Sequence, residues 1–248
     1  MNKEERDIFR NLVDFYKEIA LISGYQTGEF YGIDYVWNTK GSWPAYLFGK
    51  PGKKQAEAVT GEIRERRLPP FWIMDDQNDQ ELIGFLDEKG IRPVRKWKGM
   101  VLNVKAFEKQ SGPDDVKLRF NHSRDLPVWR ALINEGLFTA SRMGEEIEHT
   151  LNSGDQFTWS VARIEDKPVS AGLLFTFERI AGIYMIVTRN ACRGRGIGTM
   201  VTGALIDRAL DNGIDRIVLH ATPMGEGIYR NLGFEPVNEL SIYWKLGY

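Results

Sequence analysis

The part of this 248-residue chain best suited to chemistry is a turn rich in glycine and arginine, Arg193-Gly194-Arg195-Gly196-Ile197-Gly198. It follows Ile183 to Thr188, an apolar, β-branched run with the composition of a buried strand. It precedes Thr199 to Leu210, which reads as a helix. There Met200, Val201, Ala204, Leu205, Ile206, Ala209 and Leu210 leave Thr202, Asp207, Arg208 and Asp211 polar. Gly213 stands where a helix ends in a left-handed residue. A glycine turn opening a helix presents backbone N–H groups that lack helical partners, at the positive end of the helix dipole. Glycines let that backbone approach a phosphate, and Arg193 and Arg195 add charge-assisted donors. The expected chemistry is the binding of a pyrophosphate.

Spacing separates the known phosphate loops. The Walker loop ends in Gly-Lys-Ser/Thr, whereas Thr199 follows Gly198 here with no lysine. The dinucleotide pattern Gly-x-Gly-x-x-Gly, started at Gly194 and Gly196, needs a glycine at Thr199 and fails. Arg-x-x-Gly-x-Gly does fit, from Arg193 through Gly196 to Gly198. In this the segment resembles the acyl-CoA loop of the GCN5-related N-acetyltransferases. A second stretch extends the resemblance. Arg216 to Ala221 reads as a strand, Thr222-Pro223-Met224-Gly225 as a turn and Glu226 to Leu232 as a short helix. Tyr229-Arg-Asn-Leu-Gly-Phe234 is similar to the tyrosine-x-x-x-Gly-Phe ending of the same family. The two motifs stand in family order, and the resemblance covers Val116 to Leu246. Many members carry an asparagine and an alanine ahead of the tyrosine. Thr222 and Gly225 stand there instead, a departure that touches the pantetheine contact after this strand.

The resemblance implies an α/β fold, a mixed β-sheet flanked by helices, of the acyl-CoA N-acyltransferase type. It implies direct transfer of an acetyl group from acetyl-CoA to an amine in a ternary complex. Arg193, Gly194, Arg195, Gly196, Ile197, Gly198 and Thr199 would cradle the pyrophosphate. A bulge in the preceding strand would expose backbone groups at Ile186, Val187 and Thr188 to the thioester. Tyr229 matches the family's tyrosine acid, which protonates a thiolate whose ordinary pKa is about 8.5. Arg230 either reaches the 3′-phosphate or is a solvated helix residue. An alkyl ammonium, with a pKa near ~10.4, must lose a proton before it attacks. His220 is the leading base candidate, late on its strand and opposite in face to Ile217, Leu219 and Ala221; the alternative is a structural histidine. Tyr184 and Glu226 are lesser candidates. Cys192 has no histidine nearby in sequence and reads as a loop residue. His122, His149 and His220 lack metal-ligand spacing, so no metal is expected. The competing reading is a non-catalytic acyl-CoA-binding or protein-interaction module on the same fold. A nicotinamide dehydrogenase ranks third because of the missing glycine.

Composition narrows the partners. With a net charge of −1 there is no overall field to draw in nucleic acid or an anionic membrane. No run approaches the ~18 apolar residues of a spanning helix. Cys192 is the single cysteine, which rules out an intrachain disulfide framework and favours a reducing, cytoplasmic setting. The first residues, Met-Asn-Lys-Glu-Glu-Arg-Asp, lack the layout of a signal peptide. The expected partners are acetyl-CoA and an amine, with the oligomeric state open between monomer and homodimer.

The first half predicts its own elements. Glu4 to Ser23 reads as an amphipathic helix through Ile8, Leu12, Phe15, Ile19 and Ile22. Phe30 to Trp37 and Pro44 to Phe48 read as strands on either side of a turn at Asn38-Thr39-Lys40-Gly41. Helices are expected at Gln55 to Arg67 and Asp79 to Lys89, with a strand at Phe71 to Met74. Gly90-Ile91-Arg92-Pro93-Val94 then parallels Gly233-Phe234-Glu235-Pro236-Val237, and apolar runs near Met100 to Val104 and Ile242 to Leu246 follow each. This reads as an internal repeat. The first half would be a diverged acetyltransferase-like unit, with residues 1–110 degenerate and 111–248 catalytic. Its counterpart of the glycine loop, Gly49 to Lys54, lacks the Arg-x-x-Gly-x-Gly pattern, and Leu86 stands at the tyrosine position. Gln110 to Asp115 is the linker candidate. In the family, the region Asn134 to Met143 shapes the acceptor pocket.

Overall fold

A computed structural model describes residues 2–40, 43–138 and 142–247. Helix α1 (Lys3–Ser23) starts on a capping box in which Asn2 and Glu5 each accept the other's backbone N–H. It ends at Gly24, with φ of 68°. The run expected as one strand over Phe30 to Trp37 is a hairpin. Strands β1 (Gln26–Phe30) and β2 (Ile33–Trp37) meet at Tyr31 and Gly32, both at positive φ. Then come β3 (Ala45–Phe48), α2 (Lys53–Arg64), β4 (Phe71–Met74), α3 (Gln80–Glu88) and β5 (Ile91–Leu102). The turn expected before β3 includes Gly41, which lies outside the described residues.

The second half holds β6 (Val116–Phe120), α4 (Leu126–Leu137), α5 (Glu146–Ser153), β7 (Phe157–Ile164), β8 (Lys167–Phe177) and β9 (Ile180–Thr188). It continues with α6 (Ile197–Asp211), β10 (Arg216–Ala221), α7 (Glu226–Asn231) and β11 (Phe234–Lys245). The apolar runs near Met100 and Ile242 are not separate strands. Each is the far end of a 12-residue strand that begins just after Gly90 or Gly233. Both glycines have positive φ, which lets the chain turn from a helix straight into the strand.

All the strands form one mixed sheet in the order β1-β2-β3-β4-β11-β5-β10-β9-β8-β7-β6. The pairs β3–β4 and β9–β10 are parallel. The last strand of each half lies beyond its own half: β5 pairs with β10, and β11 pairs with β4. Between them β5 and β11 run antiparallel with a symmetric register. Ile91 faces Lys245, Phe234 faces Leu102, Pro93 faces Tyr243, and Pro236 faces Met100. The flanking hydrogen bonds repeat the symmetry, from Leu246 N–H to the Gly90 carbonyl and from Asn103 N–H to the Gly233 carbonyl.

One face of the sheet carries a core of α1, α4 and α5 residues, with Phe15, Trp129 and Ile147 over Phe175, Tyr184 and Ile73. The other face is covered by α6 in the second half and by α2 and α3 in the first. Helix α1 belongs to the first half by sequence but sits on strands of both. Its Phe15 is fully buried and stacks on Tyr184 of β9 at 4.0 Å between ring centroids. Phe15→Ala is expected to cost about 3–5 kcal/mol, read as a lowered urea midpoint with an unchanged slope.

Candidate functional site

The site lies where β9 and β10 part. Their parallel pairing runs from Arg216 and Ile180 to Leu219 and Ile183 and stops there. Immediately beyond, β9 breaks its ladder with β8. Leu173 pairs with Tyr184 and Ala171 with Val187, so Met185 and Ile186 share the single partner Gly172. Met185 sits at φ 55°, a conformation that non-glycine residues rarely adopt. The Gly172 carbonyl at this bulge accepts from the Trp129 indole N–H at 3.1 Å. A Cβ at Gly172 would lie 2.9 Å from side-chain atoms of both Leu205 and Val201, so the glycine lets α6 press onto the sheet here. The expected bulge residues Ile186, Val187 and Thr188 therefore extend one residue earlier, to Met185. The Val187 carbonyl accepts from the Ser170 hydroxyl, and the Thr188 carbonyl from Arg193 Nε at 3.1 Å.

The loop after β9 delivers the expected amides. Gly194 and Gly196 take φ of 75° and 76°, and α6 starts at Ile197, earlier than its apolar pattern indicated. Its first internal bond is from Met200 N–H to the Gly196 carbonyl. Among the described residues, the N–H groups from Gly194 to Thr199 donate to no protein acceptor. Gly213, at φ 73°, ends the helix, with Ile214 N–H returning to the Ala209 carbonyl. The two loop arginines differ. Arg193 is exposed and, among the described residues, donates to the Thr188 carbonyl and the Met224 sulfur. Arg195 is held by both oxygens of Asp115 at 2.9 and 2.7 Å. Arg230 is likewise engaged, by Glu226 one turn earlier on α7.

The opening between β9 and β10 leads into a cavity of about 160 Å³. Tyr229 and His220 both line it. Burial pushes the Tyr229 phenol up to about 12, and its ring packs edge-on to Phe234. His220 lies opposite in face to Ile217, Leu219 and Ala221, as alternation predicts; those three enter the core under α6. Both His220 ring nitrogens are shut off from solvent without a hydrogen-bond partner, and burial lowers the pKa to about 3. The lesser candidates are engaged elsewhere. The Tyr184 hydroxyl donates to Asn11 at 2.8 Å, and burial raises its pKa well above the usual phenol value. Hydrogen bonds from Lys98 and then Arg230 hold Glu226 below the usual carboxylate range. Cys192 closes a short 3-10 turn and is half-buried.

The first half supplies cavity walls that sequence reasoning did not single out: Tyr16, Trp43, Tyr46, Arg95 and Trp97. No local pattern marks these positions, because α1, the isolated bridge residue Trp43, β3 and β5 bring them together. The second half adds Leu137 and Phe138, from the region assigned to the acceptor. Asn134 ties that region back by accepting from Met143 N–H at 2.8 Å. Residues 139–141 of the same region lie outside those described. Among the described residues, no group of three or more His, Cys, Asp or Glu could hold a metal ion. None of the described helices is long and apolar enough to cross a membrane.

A mixed sheet split at one parallel pair, with a bulged strand feeding an amide-lined helix start, is the architecture of the acyl-CoA N-acyltransferase fold. Residues 126–234 match the model of the Acetyltransferase (GNAT) family. The chain carries a domain of this GNAT family. It is 31% identical over 90 residues to the mycothiol acetyltransferase of Corynebacterium jeikeium (strain K411), a stretch covering 35% of this chain and 25% of that protein. The chain thus matches about a quarter of the length of this curated relative. Two solved structures share the fold at low identity. A GCN5-related N-acetyltransferase from Kribbella flavida superposes with a TM-score of 0.69 at 14% identity, covering 95% of this chain and 96% of that one. Another, from Sphaerobacter thermophilus, gives 0.61 at 16%, covering 80% and 72%.

Proposed function

We propose that this protein is an acetyl-CoA-dependent N-acetyltransferase that moves an acetyl group from the thioester to a primary amine by direct attack in a ternary complex. One observation carries the reading: the unpaired amides of Gly194 to Thr199 open beside the gap where β9 and β10 part. Those amides, with Arg193, would hold the pyrophosphate. Arg195 and Arg230 start from their pairs with Asp115 and Glu226, so Arg193 is the free cation of the loop among the described residues. Backbone groups at the bulge, from Met185 through Ile186 and Val187 to Thr188, would face the thioester oxygen as it gains charge. A cytoplasmic site of action accords with such a donor.

In the reaction, the neutral amine forms a C–N bond to the acetyl carbon while the C–S bond breaks. The surplus proton of the amine must end on sulfur. Tyr229, protonated throughout the physiological range, would give its proton to the sulfur and regain one from the amine side. His220, with both ring nitrogens shut off from solvent, is a poor direct base for that proton. From about 3 to an alkyl ammonium near ~10.4 is roughly seven pKa units, or ~10 kcal/mol uphill for direct deprotonation. The ammonium would therefore shed its proton to water before attack.

Residues 1–110 would be a degenerate second unit and 111–248 the catalytic one. The repeated order of strand, helix, strand, helix and strand (β3-α2-β4-α3-β5 against β9-α6-β10-α7-β11) and the symmetric β5–β11 register support this. The start of α2 gives a physical reason for degeneracy. Gln55 Oε1 already accepts the Gly52 N–H, and Lys50 and Lys53 are paired with Asp79 and Glu81.

Titration calorimetry with acetyl-CoA tests the cradle. Arg193→Glu is expected to weaken binding about 10- to 100-fold with unchanged circular dichroism, since charge-assisted hydrogen bonds contribute ~1.5–3 kcal/mol. Unchanged affinity rejects the assignment. Coenzyme binding without thiol release across a broad amine panel would favour a non-catalytic acyl-CoA-binding or interaction module.

A further inference from the structure

We infer that the aromatic cavity shared by the two halves selects an acceptor amine that also carries a carboxylate, and that Arg95 reads this group. The inference rests on the acetyl-transfer reading for what happens to the amine, and on the cavity alone for what binds. Tyr16, Trp43, Tyr46, Trp97 and Phe138 give its walls flat apolar faces. Tyr16 packs 4.9 Å from Tyr46 and 5.6 Å from Trp43, and Trp43 lies 5.9 Å from Phe138, all between ring centroids. Such a wall accepts an aromatic ring or a compact aliphatic body. The cavity measures about 160 Å³, and a dry cavity of roughly 150 Å³ holds one benzene ring. The acceptor is thus ring-sized at this end, not a folded protein surface.

Aromatic walls alone would also suit a bare ammonium, through attraction to the ring faces. The charges decide against that. Among the described residues lining the cavity there is no carboxylate, His220 is neutral, and Arg95 is the one formal charge. Arg95 projects from β5 opposite Ile242, is exposed, and makes no ion pair among the described residues. It lies close enough to Tyr46 to act on that hydroxyl electrostatically. An unpaired guanidinium at the mouth of an aromatic cavity offers a fork for a carboxylate. The same positive charge disfavours an ammonium beside it, so an amine held there is biased toward the neutral, attacking form.

Two ligands that differ only in the carboxylate test this, L-phenylalanine and phenethylamine, titrated by calorimetry into the full chain saturated with coenzyme A. L-Phenylalanine is expected to bind at least about tenfold more tightly, as one charge-assisted pair allows. The ratio should fall to about one in Arg95→Gln and be partly kept in Arg95→Lys, with melting temperatures confirming that each variant is folded. Equal or tighter binding of phenethylamine overturns the inference. So does a ratio that survives Arg95→Gln, or failure of both ligands to bind. Mass spectrometry for the N-acetyl product is read separately, with acetyl-CoA in place of coenzyme A. Arg95-dependent binding without product would sink the acetyl-transfer reading and leave the carboxylate site standing.

Discussion

Tyr229→Phe is expected to lower kcat by ~10²–10³-fold, the usual contribution of a positioned general acid. The change removes one oxygen from a ring that otherwise stays packed on Phe234, so the Kd for acetyl-CoA should stay within about twofold. Stopped-flow or steady-state thiol release together with calorimetry separates the two quantities. Wild-type kcat in the variant would strip Tyr229 of its role. The pH dependence of the native protein gives an independent check. With Tyr229 held at about 12 and His220 at about 3, neither group changes charge between pH 5 and 9. As pH rises through that range, kcat/KM should climb with the fraction of neutral amine and level off at the acceptor's own pKa. An inflection that stays near 6.5 when the acceptor is changed would instead mark His220 as a titrating base.

The second large effect concerns the halves. Residues 111–248, produced alone, are expected not to form a stable monomer. Strand β10 would lose β5 from its edge, and β11 would lose both of its neighbours. Removing α1 would also bare Phe175 and Tyr184, which Phe15 covers. A domain is stable by only ~5–15 kcal/mol, so losing these contacts together is expected to unfold it. Sedimentation and thermal melting provide the readout. A cooperative, monomeric fragment that still binds acetyl-CoA would show that β11 can fold back onto β10, and would make the first half dispensable.

The geometry of the candidate site was legible in the sequence wherever the backbone demands a fixed local pattern. Gly194 and Gly196 must take positive φ, so the loop announced itself, and the Gly-Phe ending placed Tyr229. Alternation put His220 on the correct face of β10. What escaped had no local signature. Met185 carries the bulge although methionine has no preference for positive φ. Arg95 and Trp97 reach the cavity only because β5 crosses into the second half's part of the sheet. The buried nitrogens of His220 were equally invisible, since burial there depends on Trp97 and its neighbours rather than on β10 itself. Boundaries moved where caps rather than apolar spacing decide them. Asp79 caps α3 instead of joining it, and α2 stops at Arg64, short of the expected Arg67.

The crossing of β11 into the middle of the sheet bears on how the protein is made. While the ribosome works through the second unit, β4 and β5 have each been synthesised but wait with a bare edge for a strand not yet translated. The amino-terminal portion therefore cannot finish folding first, as successive units on a nascent chain ordinarily do. Stalled or prematurely stopped translation would leave those two edges open to aggregation, so a nonsense mutation late in the message should damage the part encoded earliest.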